Sequence, residues 1–306
     1  YKRQPVSAAD WTSIEIPQDI RLVVADMDGT LLDEHSEIPQ GFWPMLARLR
    51  SRGVEFVPAS GRQYATLRAM FADKAAQVLD GGELSYIAEN GNVVAIDGNI
   101  AEVHGVDTDV TRWTIDTVNA SAAAGEYDMG LVLCGLRTAY VQRTDKPFLD
   151  EVGKYYAALE IVDDLHSVLE DVIASNGESD TMLKLAILDF DGAEAMAAEK
   201  LTPLKNDYQV VVSGKLWVDI MNATTDKKQG VEALQRVLGV TAAQTAVFGD
   251  YLNDLQMLSA GQWSFAMGNA HPALKQAAHF VAPSNADHGV LQVCLLYTSP
   301  SPRDGA

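Results

Sequence analysis

The sequence predicts an α/β fold, a doubly wound core of parallel strands and helices into which a second, α+β domain is inserted. Three observations predict it. Short apolar, β-branched runs alternate with helically spaced apolar residues up to residue 91. The same alternation resumes at 223 and continues to 293. Between them, residues 92–222 carry many strand-like runs with helical stretches interleaved. Two distant segments sharing one pattern, separated by a stretch of another kind, are most simply one interrupted sheet domain.

Element by element, RLVVAD at 21–26 reads as a buried parallel strand, since an apolar run between turn residues suits a strand covered on both faces. A helix follows at 39–52, where Phe42, Leu46 and Leu49 recur at helical spacing and Gly53 stops the run. VEFVPAS at 54–60 is the next strand, 62–71 the next helix, and SYIAE at 85–89 a third strand before the Asn90-Gly91 turn signal. In the insert, NVVAI, LVLCG, TAYVQ, KLAILDF, YQVVVS and LWVDIM read as strands. The returning segment supplies a helix at 227–238, the strand TAVFGD, a helix through Leu258, the short strand WSFAM and a last helix near Val290. The closing run CLLYTSPSPRDGA has no periodicity, and 294–304 resembles a translated transposase sequencing adapter. Residues 294–306 are therefore read as a non-native tail on a chain truncated near Val293, and the opening at Tyr1 without Met is read the same way.

Composition narrows the function. The 306 residues are 47% hydrophobic and 21% charged, globular in character and long enough for two cores. A formal net charge of -19 repels polyanions, which makes nucleic acid and anionic membranes poor partners. Two cysteines, Cys134 and Cys294, offer neither a disulfide framework nor a Cys-based metal site. With no run near the ~18–20 apolar residues of a membrane span and no leader-like N-terminus, a soluble protein is expected, and the cysteine usage fits a reducing, cytoplasmic setting. The six histidines show no metal-ligand spacing.

Four short motifs carry chemistry. Asp26-Met27-Asp28-Gly29-Thr30 leaves the carboxyl end of a strand, where ligands bind in open α/β sheets. Its two carboxylates, two residues apart, project to one side of an extended chain and can share a metal or divide nucleophile and acid roles. Gly249-Asp250-Tyr251-Leu252-Asn253-Asp254 also follows an apolar strand, and its Asp250 and Asp254 are hard oxygen donors that suit Mg²⁺. Pro58-Ala59-Ser60-Gly61-Arg62 places a hydroxyl and free backbone N–H groups at a helix start, an anion site, and Lys227 begins another helix. Taken singly, each has a plainer reading: an Asp-Gly turn, an Asp250 N-cap, a Ser cap, a solvated lysine.

Taken in order, DMDGT, PASGR, DKKQG and GDYLND resemble the four motifs of the haloacid dehalogenase (HAD) superfamily. AENG at 88–91, CGLRTAYV at 134–141, WVDIM at 217–221 and FAMGNA at 265–270 resemble its Cof-type branch, especially broad-specificity bacterial sugar phosphatases. The resemblance spans about residues 20–293. It implies a Rossmann-like catalytic core of 1–91 plus 223–293 and a substrate-specificity cap of type C2B at 92–222. It further implies that Asp26 is the nucleophile, that Asp28 protonates the leaving alkoxide and then activates water, and that the substrate is a small phosphate monoester. Mg²⁺ would be held by Asp26, the Asp28 carbonyl and Asp250, with Asp254 supporting them. Thr30, Ser60, Gly61, Lys227 and Asn253 would contact the phosphoryl group. Lys227 is preferred over Lys228 on its spacing to Gly230 and Val231. The cap would close over the site, with Arg137 and Tyr140 as candidates for substrate contact, although a surface hairpin explains both equally well. Arg62 receives no role.

Two other readings compete. A phosphosugar mutase would share the aspartyl phosphate, and a noncatalytic phosphometabolite-binding protein would share the fold. The hydrolase-like forms of GDYLND and DKKQG speak against the first, and the presence of both Asp26 and Asp28 against the second.

Overall fold

The structure, a computed structural model, describes residues 8–14, 18–156 and 158–298, and every count and absence refers to these. The chain forms two compact units: one from the segments up to Glu102 and from Thr225 onward, the other Val103–Thr224.

The first unit begins with β1 (Ala9–Asp10) and β2 (Leu22–Asp26), whose five residues are all buried as a near-continuous apolar strand requires. Next comes α1 (Phe42–Ser51), which buries Phe42, Met45, Leu46 and Leu49, one face of a 3.6-residue repeat. The chain continues through β3 (Glu55–Ala59), α2 (Tyr64–Val78), β4 (Tyr86–Ala88), β5 (Val93–Ile96) and β6 (Asn99–Val103). Here the structure departs from the sequence reading. NVVAI reads as part of the insert, but β5 folds back antiparallel on β4, with Tyr86 opposite Ala95, and β6 extends the same sheet. The two units divide at 102/103 and 224/225, not at 91/92 and 222/223.

The second unit runs α3 (Thr108–Ala124), β7 (Met129–Gly135), β8 (Ala139–Val141), α4 (Lys146–Val152), β9 (Leu159–Ile161), α5 (Leu165–Ala174), β10 (Met182–Asp189), α6 (Ala193–Lys200), β11 (Tyr208–Val212) and β12 (Trp217–Asn222). Its sheet has the order β11-β12-β10-β7-β8-β9 and is antiparallel except where β8 meets β9. Both faces are covered. Leu131, Leu133, Leu185 and Ile187 enter one apolar cluster with α3 and α5, while Val132, Ala186 and Leu188 enter another with Phe148 and Trp217. That is the two-residue alternation of a strand expressed as two cores.

Returning to the first unit, the chain forms α7 (Lys227–Leu238), β13 (Thr245–Gly249), β14 (Trp263–Ala266), α8 (Pro272–Ala277), β15 (Phe280–Val281) and α9 (Gly289–Thr298). The nine strands lie in the order β1-β15-β14-β13-β2-β3-β4-β5-β6. Between β2 and β13 the order reverses direction, a switch point where two carboxyl strand ends diverge and leave a crevice. Phe248 pairs with Ala25, so Asp26 and Asp250 leave adjacent parallel strands side by side.

One further expectation is corrected. The helix read through Leu258 is two single turns, Leu252–Asp254 and Met257–Ala260. The segment set aside from residue 294 is helical as far as Thr298, and Cys294 is fully buried; residues 299–306 lie outside the described part. No helix is long and apolar enough to cross a membrane.

Candidate active site

Asp26, the last residue of β2, is 7% exposed, and Lys227, the first residue of α7, is 1% exposed. The Lys227 ammonium donates to Asp26 Oδ1 through a short hydrogen bond and to Asp254 Oδ1 at 2.7 Å. Asp226 caps α7 by accepting from the Gln229 amide at 3.1 Å, which fixes where the helix starts and aims Lys227 inward. Lys228 instead lies against Glu232 at 3.7 Å, one turn along the exposed face.

Asp254 faces back toward the strand end. Its Oδ2 accepts from the amides of Asp250 at 3.1 Å and Tyr251 at 3.4 Å, so Asp254, not Asp250, is the carboxylate that satisfies this turn. Asp250 accepts from the Thr30 hydroxyl at 3.1 Å. Thr30, read as a phosphate contact, is 1% exposed, and its hydroxyl orients Asp250. Gly29, at φ +77°, is required between them, because a Cβ there would run into the Asp250 carboxylate.

The Ser60 loop also differs from expectation. Two of its amides are already engaged: Ser60 N–H donates to the Ile87 carbonyl at 2.9 Å and Arg62 N–H to Ser60 Oγ at 3.1 Å. The Ser60 hydroxyl proton is what it can offer a ligand, at a residue 3% exposed. Gly61 is exposed with Asn90 beside it, and Asn253 is exposed on the turn after Tyr251, with no hydrogen bond to the carboxylate cluster among the described residues. Asp28 is 59% exposed at its side chain and pairs with Arg62. Within the second unit, the Arg137 amide and Tyr140 hydroxyl both donate to the buried Asp180, at 3.1 and 2.9 Å, a structural account of their placement.

Two residues that sequence reasoning gave no role hold the site. Asn269 Nδ2 donates to the Gly29 carbonyl at 2.8 Å, and Asn285 Nδ2 to the Leu32 carbonyl at 3.0 Å, bracing both ends of the loop that follows Asp26. The available signal was FAMGNA, an asparagine just beyond the carboxyl end of a strand.

Burial pushes the Asp26 carboxyl up to about 7; the charges of Asp254 and Asp250 act in the same direction, and the Lys227 ammonium opposes them. Burial also works against the charge on Lys227, but Asp26 and Asp254 outweigh it and hold the ammonium above its ordinary range. Asp250 is raised, by burial first and then by Asp254 and Asp28. Three carboxylates against one ammonium leave negative charge uncompensated. Asp26, Asp250 and Asp254 each present an oxygen within 4.8 Å of the others, a donor set that fits a hard divalent cation. Asp254 already serves Lys227 and two amides, so Asp26 and Asp250 are the carboxylates best placed to hold it.

A buried Asp-Lys-Asp bridge at the switch point of an open α/β sheet lies where this class of fold places its active site. The family model described as haloacid dehalogenase-like hydrolase matches residues 23–294, and the chain belongs to that family, in its Cof-type branch. It is similar to 5-amino-6-(5-phospho-D-ribitylamino)uracil phosphatase YbjI of Escherichia coli K12, 30% identical over 277 residues that cover 90% of this chain and 94% of YbjI. A haloacid dehalogenase-like hydrolase from Bacteroides thetaiotaomicron matches with a TM-score of 0.69 at 20% identity, covering 90% of this chain and 98% of that one. TM0651 of Thermotoga maritima matches with a TM-score of 0.72 at 21% identity, covering 92% and 98%. At such identities the two structures speak for the fold alone.

Proposed function

We propose that this protein is a Mg²⁺-dependent phosphatase that hydrolyses small phosphate monoesters, sugar phosphates foremost, through an aspartyl phosphate on Asp26. One observation carries the reading: a buried ammonium bridges Asp26 and Asp254 at the carboxyl end of β2, with Asp250 alongside. Phosphate monoester hydrolysis is among the slowest uncatalysed reactions, accelerated by enzymes up to about 10²¹-fold. A carboxylate approaching a dianionic phosphate is repelled unless the oxygens are neutralised. Lys227 supplies one positive charge there, and Mg²⁺, held by Asp26, the Asp28 carbonyl and Asp250, would supply the rest by polarising the phosphoryl oxygens.

In this reading Asp26 Oδ attacks phosphorus as the ester P–O bond breaks, and Asp28 gives its proton to the departing alkoxide. Asp28 then takes a proton from water, whose oxygen attacks phosphorus and frees Asp26. Splitting the displacement in two replaces one hard step by two easier ones. Lys227, the Ser60 hydroxyl, Gly61 and Asn253 would contact the phosphoryl oxygens. The unit of residues 103–224 would select the leaving group. Two buried cysteines that form no disulfide suit a reducing, cytoplasmic setting.

The test is phosphate release from a panel of sugar phosphates and a ribitylaminouracil phosphate, with Mg²⁺ and with EDTA, for wild type and Asp26→Asn. Metal-dependent turnover abolished by Asp26→Asn is expected. Turnover that survives the substitution would remove Asp26 as nucleophile. Phosphate transfer without release would point to a mutase, and tight binding without turnover to a binding protein.

A further inference from the structure

The sequence offers no reason to notice Arg62, yet its guanidinium is the group that holds Asp28. Arg62 Nη2 donates to Asp28 Oδ1 at 2.7 Å and Nε to Oδ2 at 3.3 Å, so both carboxylate oxygens are engaged by one planar fork. The arginine is itself fixed. Its N–H donates to Ser60 Oγ at 3.1 Å, its carbonyl accepts from the Glu89 amide at 3.0 Å, and Nη1 rests on Met70 Sδ at 3.6 Å. Asp28, by contrast, is half out in solvent beside Gly29 and has no other side-chain hydrogen bond among the described residues. An ion pair exposed by 34% on one side and 59% on the other adds little to stability. Its geometric effect is larger, because it removes the rotamer freedom of an otherwise unrestrained carboxylate.

We infer that Arg62 is a positioning residue that holds the Asp28 carboxyl where it can pass a proton to and from the ester oxygen, a role that rests on the phosphatase reading above. When the P–O bond breaks, the proton on Asp28 goes to the bridging oxygen and the alcohol leaves neutral. In the second step the proton returns from water as the P–O bond to Asp26 breaks. Each carboxylate oxygen keeps a lone pair beyond the one Arg62 uses, so the fork fixes the group without blocking the transfer. An arginine directed at the phosphoryl group instead would act on every ester alike, and that difference is measurable.

The experiment compares kcat/KM for p-nitrophenyl phosphate, whose leaving group departs as an anion without a proton, with that for the primary alkyl phosphate turned over fastest by wild type. Because kcat/KM extends only to the first irreversible step, it is insensitive to the later attack of water. Arg62→Ala is expected to lower the alkyl value by ~10²-fold or more and the p-nitrophenyl value by less than ~10-fold, the pattern of a lost general acid. Asp28→Asn should show the same selectivity, and adding Arg62→Ala to Asp28→Asn should change the alkyl value by less than ~3-fold. Arg62→Lys keeps the charge without the fork and should recover only part of the loss, and it carries the comparison should Arg62→Ala fail to give a cooperative thermal melt. Equal losses on the two esters, or additive losses in the double variant, would overturn the inference. No turnover of any ester by wild type would instead remove the phosphatase reading itself.

Discussion

Lys227 and its two carboxylates depend on one another. At 1% exposure an ammonium without partners would give up its proton, and Asp26 and Asp254 without the ammonium would be like charges facing each other out of water. Lys227→Met keeps the chain length and removes the charge, so we expect a loss of ~3–5 kcal/mol in metal-free protein at alkaline pH, read from the urea midpoint, together with loss of turnover. A loss below ~1 kcal/mol would show that the carboxylates are relieved in some other way. Asp26 makes a second, pH-linked prediction. With its carboxyl raised to about 7, the metal-free site carries a proton in mildly acidic solution, and a cation must displace it. Metal affinity should therefore rise with pH by up to ~10-fold per unit below 7 and level off above it. Calorimetry of Mg²⁺ binding in two buffers of different ionisation enthalpy should show close to one proton released at pH 6 and almost none at pH 9. Equal release at both would contradict the raised carboxyl.

At the level of elements, the turn between β4 and β5 sets the position of α7. Glu89 and Asn90 take left-handed φ of 50° and 54°, and Gly91 follows at 102° with the Asp226 carbonyl so close that any Cβ would strike it. Gly91→Ala should cost ~1–3 kcal/mol, and because Asp226 caps α7 it should also lower turnover through Lys227. Thermal melts and turnover on the same preparation check this; a destabilised variant with unchanged kcat would separate the turn from the site. The motifs were legible because each ends a local apolar run: Asp26 closes LVVAD and Asp250 follows TAVFG, so strand and carboxylate are read together. What stayed hidden is what distant residues decide. Thr30 binds Asp250 across 220 positions, Arg62 binds Asp28 across 34, and β5 joins the first unit through pairing with β4, although its five-letter run is equally strand-like in either unit. Periodicity announces a strand; only its partner places it.

At the scale of the whole molecule, each unit buries its own core: Leu22, Val24, Val57, Val231 and Val247 cluster in one, and Ile115, Leu131, Leu185 and Ile220 in the other. The change of pattern sets the edges of this division at 91 and 222, where the units divide after 102 and 224, since the antiparallel return at β5 and β6 has the same strand signal as the insert that follows. The C-terminal segment is where the pattern of apolar residues says least about structure. A run without periodicity gives no helix from Cys294 onward, but periodicity is a weak guide for a helix as apolar as α9. Val290, Val293 and Cys294 are at most 1% exposed, and burial raises the Cys294 thiol well above its usual range. α9 lies against α1, and Val290, Val293 and Cys294 thus belong to the first unit's core whatever the origin of their sequence. A chain ended at Val293 would lose the Cys294 side chain and the hydrogen bonds of the final turn. The expected cost is ~1–3 kcal/mol, a midpoint ~2–4 °C lower per kcal/mol, with metal-dependent turnover retained at low temperature because no site residue lies on α9. Differential scanning of the shortened and full chains decides it: an unchanged midpoint would mean that the helix beyond Val293 contributes nothing to the fold.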